Sequence, residues 1–190
     1  MKFPRIGLIR HFEVKKSFPS GWLSWEDLIK WREEYELSEV HAGEIDLGGI
    51  HWRHCFSSDM PRAYLTAQSV FPGGGISQLP ELREPHVGNF RTGKLRLPYF
   101  LWKQLLRIAW MSSHSSQRAA KEAFMAKIRH IVAEVVLKAQ EDTLIVSHAG
   151  VMMFLRKELV KLGYAGPGFK IAQNGRLYVF ERKAAFVEQV

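Results

Sequence analysis

The chain has 190 residues, 46% hydrophobic and 24% charged, an ordinary globular composition that excludes an intrinsically disordered protein. Its one cysteine, Cys55, excludes an intramolecular disulfide and fits a reducing, cytoplasmic setting, and no apolar run has the length of a signal segment or membrane span. The formal charge of +8 calls for an anionic partner; because the basic residues are scattered, a pocket for a small anion ranks first, general surface charge second and nucleic acid third.

In chain order, 6–10 is an apolar run that reads as a buried first strand. An aromatic-rich insertion at about 12–50 follows. Its Phe18, Trp22, Trp25 and Trp31 are expected to form a satellite core, with a cover over a pocket as the other reading. Within it, Ser24 caps a helix that runs to about Leu37, with Asp27 at the third helical position. A second strand is expected at 52–57. A helix over 59–71 follows, capped by Ser58 or Asp59, with Pro61 tolerated in its first turn. Pro72-Gly73-Gly74-Gly75 stops it.

Next come a short strand at 76–79 and a long charged loop at 80–97, of a length that marks a functional loop or disorder. An aromatic helix is expected at 98–110. The spacing of Phe124, Ile128, Ile131, Val132 and Val135 predicts one helix over 117–140. A strand at 143–147, a helix at 150–162 and a strand at 176–182 complete the chain. Asn174-Gly175 predicts a hairpin turn, with 169–172 as the partner strand. Strands alternating with helices predict an α/β fold, a three-layer sandwich with a mostly parallel central sheet flanked by helices. No repeat or linker interrupts 1–190, so one domain is expected.

Arg10-His11 closes the first strand and Ser147-His148 closes the late one. Parallel sheets bind ligands outside the carboxyl ends of their strands, so these distant histidines can face one another across one pocket. Either histidine alone would more often be a loop or helix-cap residue. His51-x-x-His54-Cys55 imitates metal ligation, but strand residues three apart point to opposite faces, so no metal site is expected there. His41, His114 and His130 have no reactive neighbours in sequence.

Four blocks, in order from about residue 6 to 154, resemble the histidine phosphatase superfamily, also called phosphoglycerate mutase-like. They are Arg10-His11-Phe12, Ser58-x-x-x-Arg62-Ala63-x-x-Thr66-Ala67, Glu84-x-x-x-Gly88 and Ser147-His148-Ala149-Gly150. The resemblance implies a phosphomonoesterase that needs no cofactor or metal and hydrolyses a small-molecule phosphate ester through a phosphohistidine. It assigns His11 as nucleophile, and Arg10 and Arg62 as planar forks on the phosphoryl oxygens. His148 becomes a donor to the phosphoryl group, and Glu84 the general acid. Glu81 competes for that role, but the four-residue interval to Gly88 favours Glu84.

The chain departs from the family pattern near the nucleophile. Phe12 stands where the family has Gly, and Val14 where many members have Thr or Ser. Ser17 is the nearest candidate for a phosphate-contacting Asn. Phe12, Ser17 and Arg83 are expected on the substrate side, Phe12 narrowing the entrance. Arg83, Arg91, Lys94 and Arg96 form a cationic rim that would favour a multiply anionic or aromatic ester. Two alternatives stay open: a mutase-like phosphoryl transferase, and a catalytically silent module that binds a phosphorylated ligand and would need neither nucleophile nor acid. The exposed aromatics of the insertion permit a homodimer.

Overall fold

The computed structural model describes residues 3–85 and 93–182. His86, Gly88 and Arg91, which the sequence places in the loop after Glu84, lie outside the described residues. In chain order the elements are β1 (Ile6–Arg10), β2 (Trp22–Leu23), α1 (Trp25–Glu36), β3 (His54–Ser57), α2 (Pro61–Val70), β4 (Ile76–Gln78), a 3-10 turn at Pro80–Leu82, β5 (Leu97–Pro98), α3 (Tyr99–Met111), α4 (Ser115–Ile131), a π turn at Val132–Val136, β6 (Thr143–Ser147), α5 (Ala149–Lys161), β7 (Tyr164–Ala165) and β8 (Leu177–Arg182).

Six strands make the central sheet in the order β4-β3-β6-β1-β8-β7. The first four run parallel, and β8 and β7 add an antiparallel edge. This is the mixed, mostly parallel sheet expected of alternating strands and helices. Alternation along the strands feeds two cores. Ile6, Leu8 and Ile145 pack on one face with Phe124 and Ile128 of α4 and Met152 and Leu155 of α5. Ile9, Leu144 and Val146 pack on the other face with Ala67 and Val70 of α2 and with Trp52. Helices therefore cover both faces, giving the three layers.

A glycine in the middle of β1 has a packing reason. A Cβ on Gly7 would lie 2.7 Å from both the Trp52 ring and a Leu144 methyl. Trp52 leaves the sheet to cover that spot, which is why β3 starts at His54 and not at residue 52. The α1 start follows the sequence reading: Ser24 Oγ accepts from the Asp27 N–H, and the Asp27 carboxylate accepts from the Ser24 N–H. α1 and α3 share a third cluster around Trp25, Leu28 and Trp102, joined by the two-stranded pairing of β2 with β5.

Three further expectations change. Neither Ser58 nor Asp59 caps α2; Met60 holds that position with no side-chain bond. Asp59 is held by Arg83 at 2.6 Å, and the Ser58 hydroxyl bonds His148. The helix predicted over 117–140 is α4, starting at Ser115, followed by a π turn that ends at Val136. Finally, Asn174-Gly175 does not join a hairpin. Asn174 bridges to Arg10, and the Gly175 N–H donates to the Arg10 carbonyl at 3.0 Å, with Gly175 at φ 61°. That turn is drawn to the end of β1, and β8 takes β7, not 169–172, as its hairpin partner. Among the described residues no helix is long and apolar enough to cross a membrane.

Candidate active site

Register brings the two histidines together. In the parallel pair β1–β6, Arg10 lies opposite Ser147, so the residue after each strand emerges side by side at the carboxyl edge. The His11 N–H donates to the Ser147 carbonyl at 3.0 Å, and the two imidazole centroids stand 5.1 Å apart. Both side chains are buried, His11 at 3% exposure and His148 fully. His11 Nδ1 lies 2.6 Å from the Phe12 carbonyl, which can only accept, so Nδ1 carries the proton and Nε2 keeps its lone pair. His148 Nε2 bonds the Ser58 hydroxyl at 3.0 Å. Its Nδ1 is buried with no partner among the described residues.

The loop behind His11 is clamped from two sides. The Phe12 N–H donates to Thr66 Oγ1 at 2.9 Å, and Thr66 in turn donates to the Arg62 carbonyl. Asn174 Nδ2 donates to the His11 carbonyl at 2.7 Å. These bonds fix a backbone that must turn sharply off the sheet edge while presenting an imidazole in one orientation. Thr66 belongs to the Arg62 block of the sequence. Asn174 was legible there only as a turn residue, because its role depends on a contact 163 positions away.

Burial pushes the His11 imidazole down to about 3, with Arg62 and Arg10 adding to the effect against the Phe12 bond. His148 is also held well below its ordinary value by burial, then by Arg62, His11 and Arg10. Both rings are therefore neutral in the folded protein at pH 7. Unfolded, each would take a proton near pH 6.5. The unfolded state thus binds more protons below 6.5, and stability must fall as pH falls. The expected slope approaches about 1.4 kcal/mol per pH unit for each histidine. Urea unfolding between pH 7 and 5, above the carboxylate range, checks this; His148→Gln should flatten the slope, and an unchanged slope contradicts it.

Two guanidinium groups supply the charge. Arg62, in the first turn of α2, is 4% exposed, and its Nε and Nη1 have no partner among the described residues. Arg10 spends Nη1 on the Ala172 carbonyl at 2.8 Å, and its buried Nε has no partner among the described residues. Burial lowers the Arg62 pKa from its high ordinary value. Buried donors of this kind are costly unless an acceptor fills them. An anion with several oxygens, seated at the start of α2, would satisfy both groups and gain from the helix terminus.

Glu84 reaches the same place from the far side. Its Oε1 accepts from the Gly150 N–H in the first turn of α5 at 3.0 Å. A Cβ on Gly150 would lie 2.8 Å from Oε2, so glycine at that position is what lets the carboxylate in. Glu84, Arg10 and Arg62 line a cavity of about 440 Å³, together with Phe18, Trp31, Arg32, Tyr35 and Lys103 among others. This is within the usual size range for small-molecule sites. His11 and His148 are buried and are not among the residues that line it.

Arg10, His11, Arg62, Glu84 and His148 are thus brought together. Phe12, Ser17 and Arg83 are not among the cavity-lining residues. The Phe12 ring is 6% exposed and wedged against Gly175 and Gly43, carried away from the entrance by the Thr66 clamp on its own N–H. Ser17 is exposed, and its carbonyl accepts from Trp31 Nε1. Arg83 is turned to Asp59. The cavity's remaining cations are instead Arg32 on α1 and Lys103 on α3, which the sequence reading did not single out. The i, i+4 pair Trp31 and Tyr35 beside Arg32 was the available signal, since it puts two rings on one helix face.

The model of the histidine phosphatase superfamily (branch 1) matches residues 34–187. The chain belongs to that superfamily. The match begins after Arg10 and His11, whose place beside Arg62 and His148 rests on the sheet register. Among curated proteins none is similar in sequence. The superfamily fold recurs in the solved structure of the α-ribazole phosphatase from Shigella flexneri, at 19% identity and TM-score 0.59, covering 96% of this chain and 92% of that one. It recurs in a mycobacterial glucosyl-3-phosphoglycerate phosphatase at 22% identity and TM-score 0.57, covering 93% and 89%.

Proposed function

We propose that this protein is a phosphomonoesterase that hydrolyses small-molecule phosphate esters through a phosphohistidine at His11, without a cofactor. The carrying observation is a neutral imidazole, oriented by the Phe12 carbonyl so that Nε2 is the free nitrogen, beside two guanidinium groups with buried donors that have no acceptor among the described residues. Solved relatives named as phosphatases of α-ribazole and of glucosyl-3-phosphoglycerate support the reaction class and point to different substrates.

In this reaction Arg10 and Arg62 hold the phosphoryl oxygens and offset their charge. The His11 Nε2 lone pair attacks phosphorus, and the bond to the ester oxygen breaks. The departing alkoxide takes the proton of the Glu84 carboxyl, carried on Oε2, since Oε1 is engaged by Gly150. His148 donates from Nδ1 to a phosphoryl oxygen, its Nε2 being engaged by Ser58. Water then attacks the phosphohistidine and gives its proton back to Glu84. Inorganic phosphate leaves and His11 is regenerated neutral. A module that only binds phosphate would need neither the free Nε2 nor a carboxyl beside the arginines.

The test is phosphate release with two esters that differ in leaving group. Glu84→Gln should lose roughly 10²- to 10⁴-fold in kcat on an alkyl phosphate. It should lose much less on p-nitrophenyl phosphate, whose leaving oxygen needs little protonation. Gly150→Ala, which crowds Oε2, should follow the same pattern while keeping or slightly raising Tm, because alanine is the better helix former. Equal losses on both esters in Glu84→Gln, or a larger effect from Glu81→Gln, would reassign the acid.

A further inference from the structure

The cavity above the arginines adjoins a second, apolar one. Trp31, Arg32, Tyr99 and Lys103 line both. Beyond them an annex of about 150 Å³ opens between α1 and α3, closed by Trp25, Leu28, Ile29 and Leu106. The junction is walled by rings. Phe18 stacks on Tyr99 at 5.1 Å, and Trp31 meets Tyr99 and Tyr35 at the same centroid distance. Phe18 nonetheless stays 66% exposed, and Trp31, Tyr35 and Tyr99 are only partly buried. An aromatic wall that opens onto the reaction cavity is well placed to take a ligand ring.

The cations that could instead select a second anionic group are mostly committed. Arg32 is paired with Glu36 at 3.1 Å, Arg83 with Asp59, and Arg96 with Asp27 and the Trp22 carbonyl. Lys103 at the junction and Lys94, which does not line the cavity, have no ion-pair partner among the described residues, against a floor where Arg10 and Arg62 both hold donors without an acceptor there. The site is thus strongly cationic at one end and apolar at the other.

We propose that the substrate is a phosphate monoester whose alcohol carries a flat apolar ring, with the phosphoryl group on Arg10 and Arg62 and the ring against Trp31 and Tyr99, entering the annex between α1 and α3. This rests on the phosphatase reading above and adds the class of leaving group. Burying a ring that water otherwise surrounds lowers the transition state for that ester and not for a short-chain one.

The test uses 2-phenylethyl phosphate and ethyl phosphate, which share a primary alkoxide leaving group and differ in the ring. The wild type should show kcat/KM at least about tenfold higher for the phenylethyl ester. Leu106→Trp, which fills the annex, should bring the ratio of the two kcat/KM values close to one. Thermal unfolding checks that this variant is folded; if it is not, Tyr99→Ala, which removes part of the wall, carries the same ratio test. Release from p-nitrophenyl phosphate with equal kcat/KM for the two alkyl esters overturns the substrate class alone. So does a preference for phosphoglycolate, whose tail is a carboxylate. No phosphate release from any ester, p-nitrophenyl phosphate included, overturns the phosphatase reading and the substrate class with it.

Discussion

Replacing His11 with Ala should remove phosphate release, with a loss on the order of 10⁴-fold or more in kcat. The side chain is the one imidazole at the site whose Nδ1 is bound to a carbonyl, so its Nε2 alone is set up to attack. His148 cannot substitute, because its Nε2 is engaged by Ser58. Rapid quenching of the wild type with labelled substrate should trap an acid-labile, base-stable adduct that maps to His11. The reaction should also survive a chelator, since two guanidinium groups offset the charge that a metal ion would otherwise offset. An adduct on Ser57, Ser58 or Cys55, or undiminished turnover in His11→Ala, contradicts the mechanism. So does activity that a chelator removes and added metal restores.

Arg62→Met should move activity and stability in opposite directions. Arg62 is buried, and among the described residues its Nε and Nη1 have no acceptor and no carboxylate forms an ion pair with it, so its charge is desolvated. Removing it should raise stability by roughly 1–2 kcal/mol, or about 2–8 °C in Tm for a chain of this size. The same change deletes a donor set aimed at the phosphoryl group and should cost about 10²- to 10³-fold in kcat/KM. Inorganic phosphate closes the argument: it should raise the Tm of the wild type, because it fills those donors, and should do so much less in Arg62→Met. Loss of both activity and stability in Arg62→Met would make Arg62 a structural residue. The ring of Tyr35, 5.6 Å from the guanidinium, would then be its true partner.

Much of this was legible in one dimension because it is local. The central strands at 6–10 and 143–147, apolar through Ile6–Ile9 and Leu144–Val146 before the Arg-His and Ser-His endings, coincide with β1 and β6 residue for residue. The capping box at Ser24 and Asp27 is likewise short-range chemistry that any environment would permit. The pairing of His11 with His148 follows from two such strands once they are parallel neighbours, and the six-stranded sheet makes them so.

What the tertiary structure alone decided are the claims that long-range partners make on side chains with strong local preferences. Ser58 and Asp59 are good helix caps, yet His148 and Arg83 take them, because a bond to a buried imidazole or to a guanidinium is worth more than an exposed cap. Asn174-Gly175 is a good hairpin turn, yet it serves the end of β1, where it holds the carbonyls of Arg10 and His11. Phe12 looked like a rim residue because it follows His11. The turn off the sheet edge buries it against Gly43 and Gly175, and hands the rim to rings and cations from α1 and α3. Composition and spacing could place the reacting groups at one edge of a sheet. Which surface faces them depends on how a distant pair of helices packs, and that is set by Trp25, Leu28 and Trp102 burying one another and not by any motif.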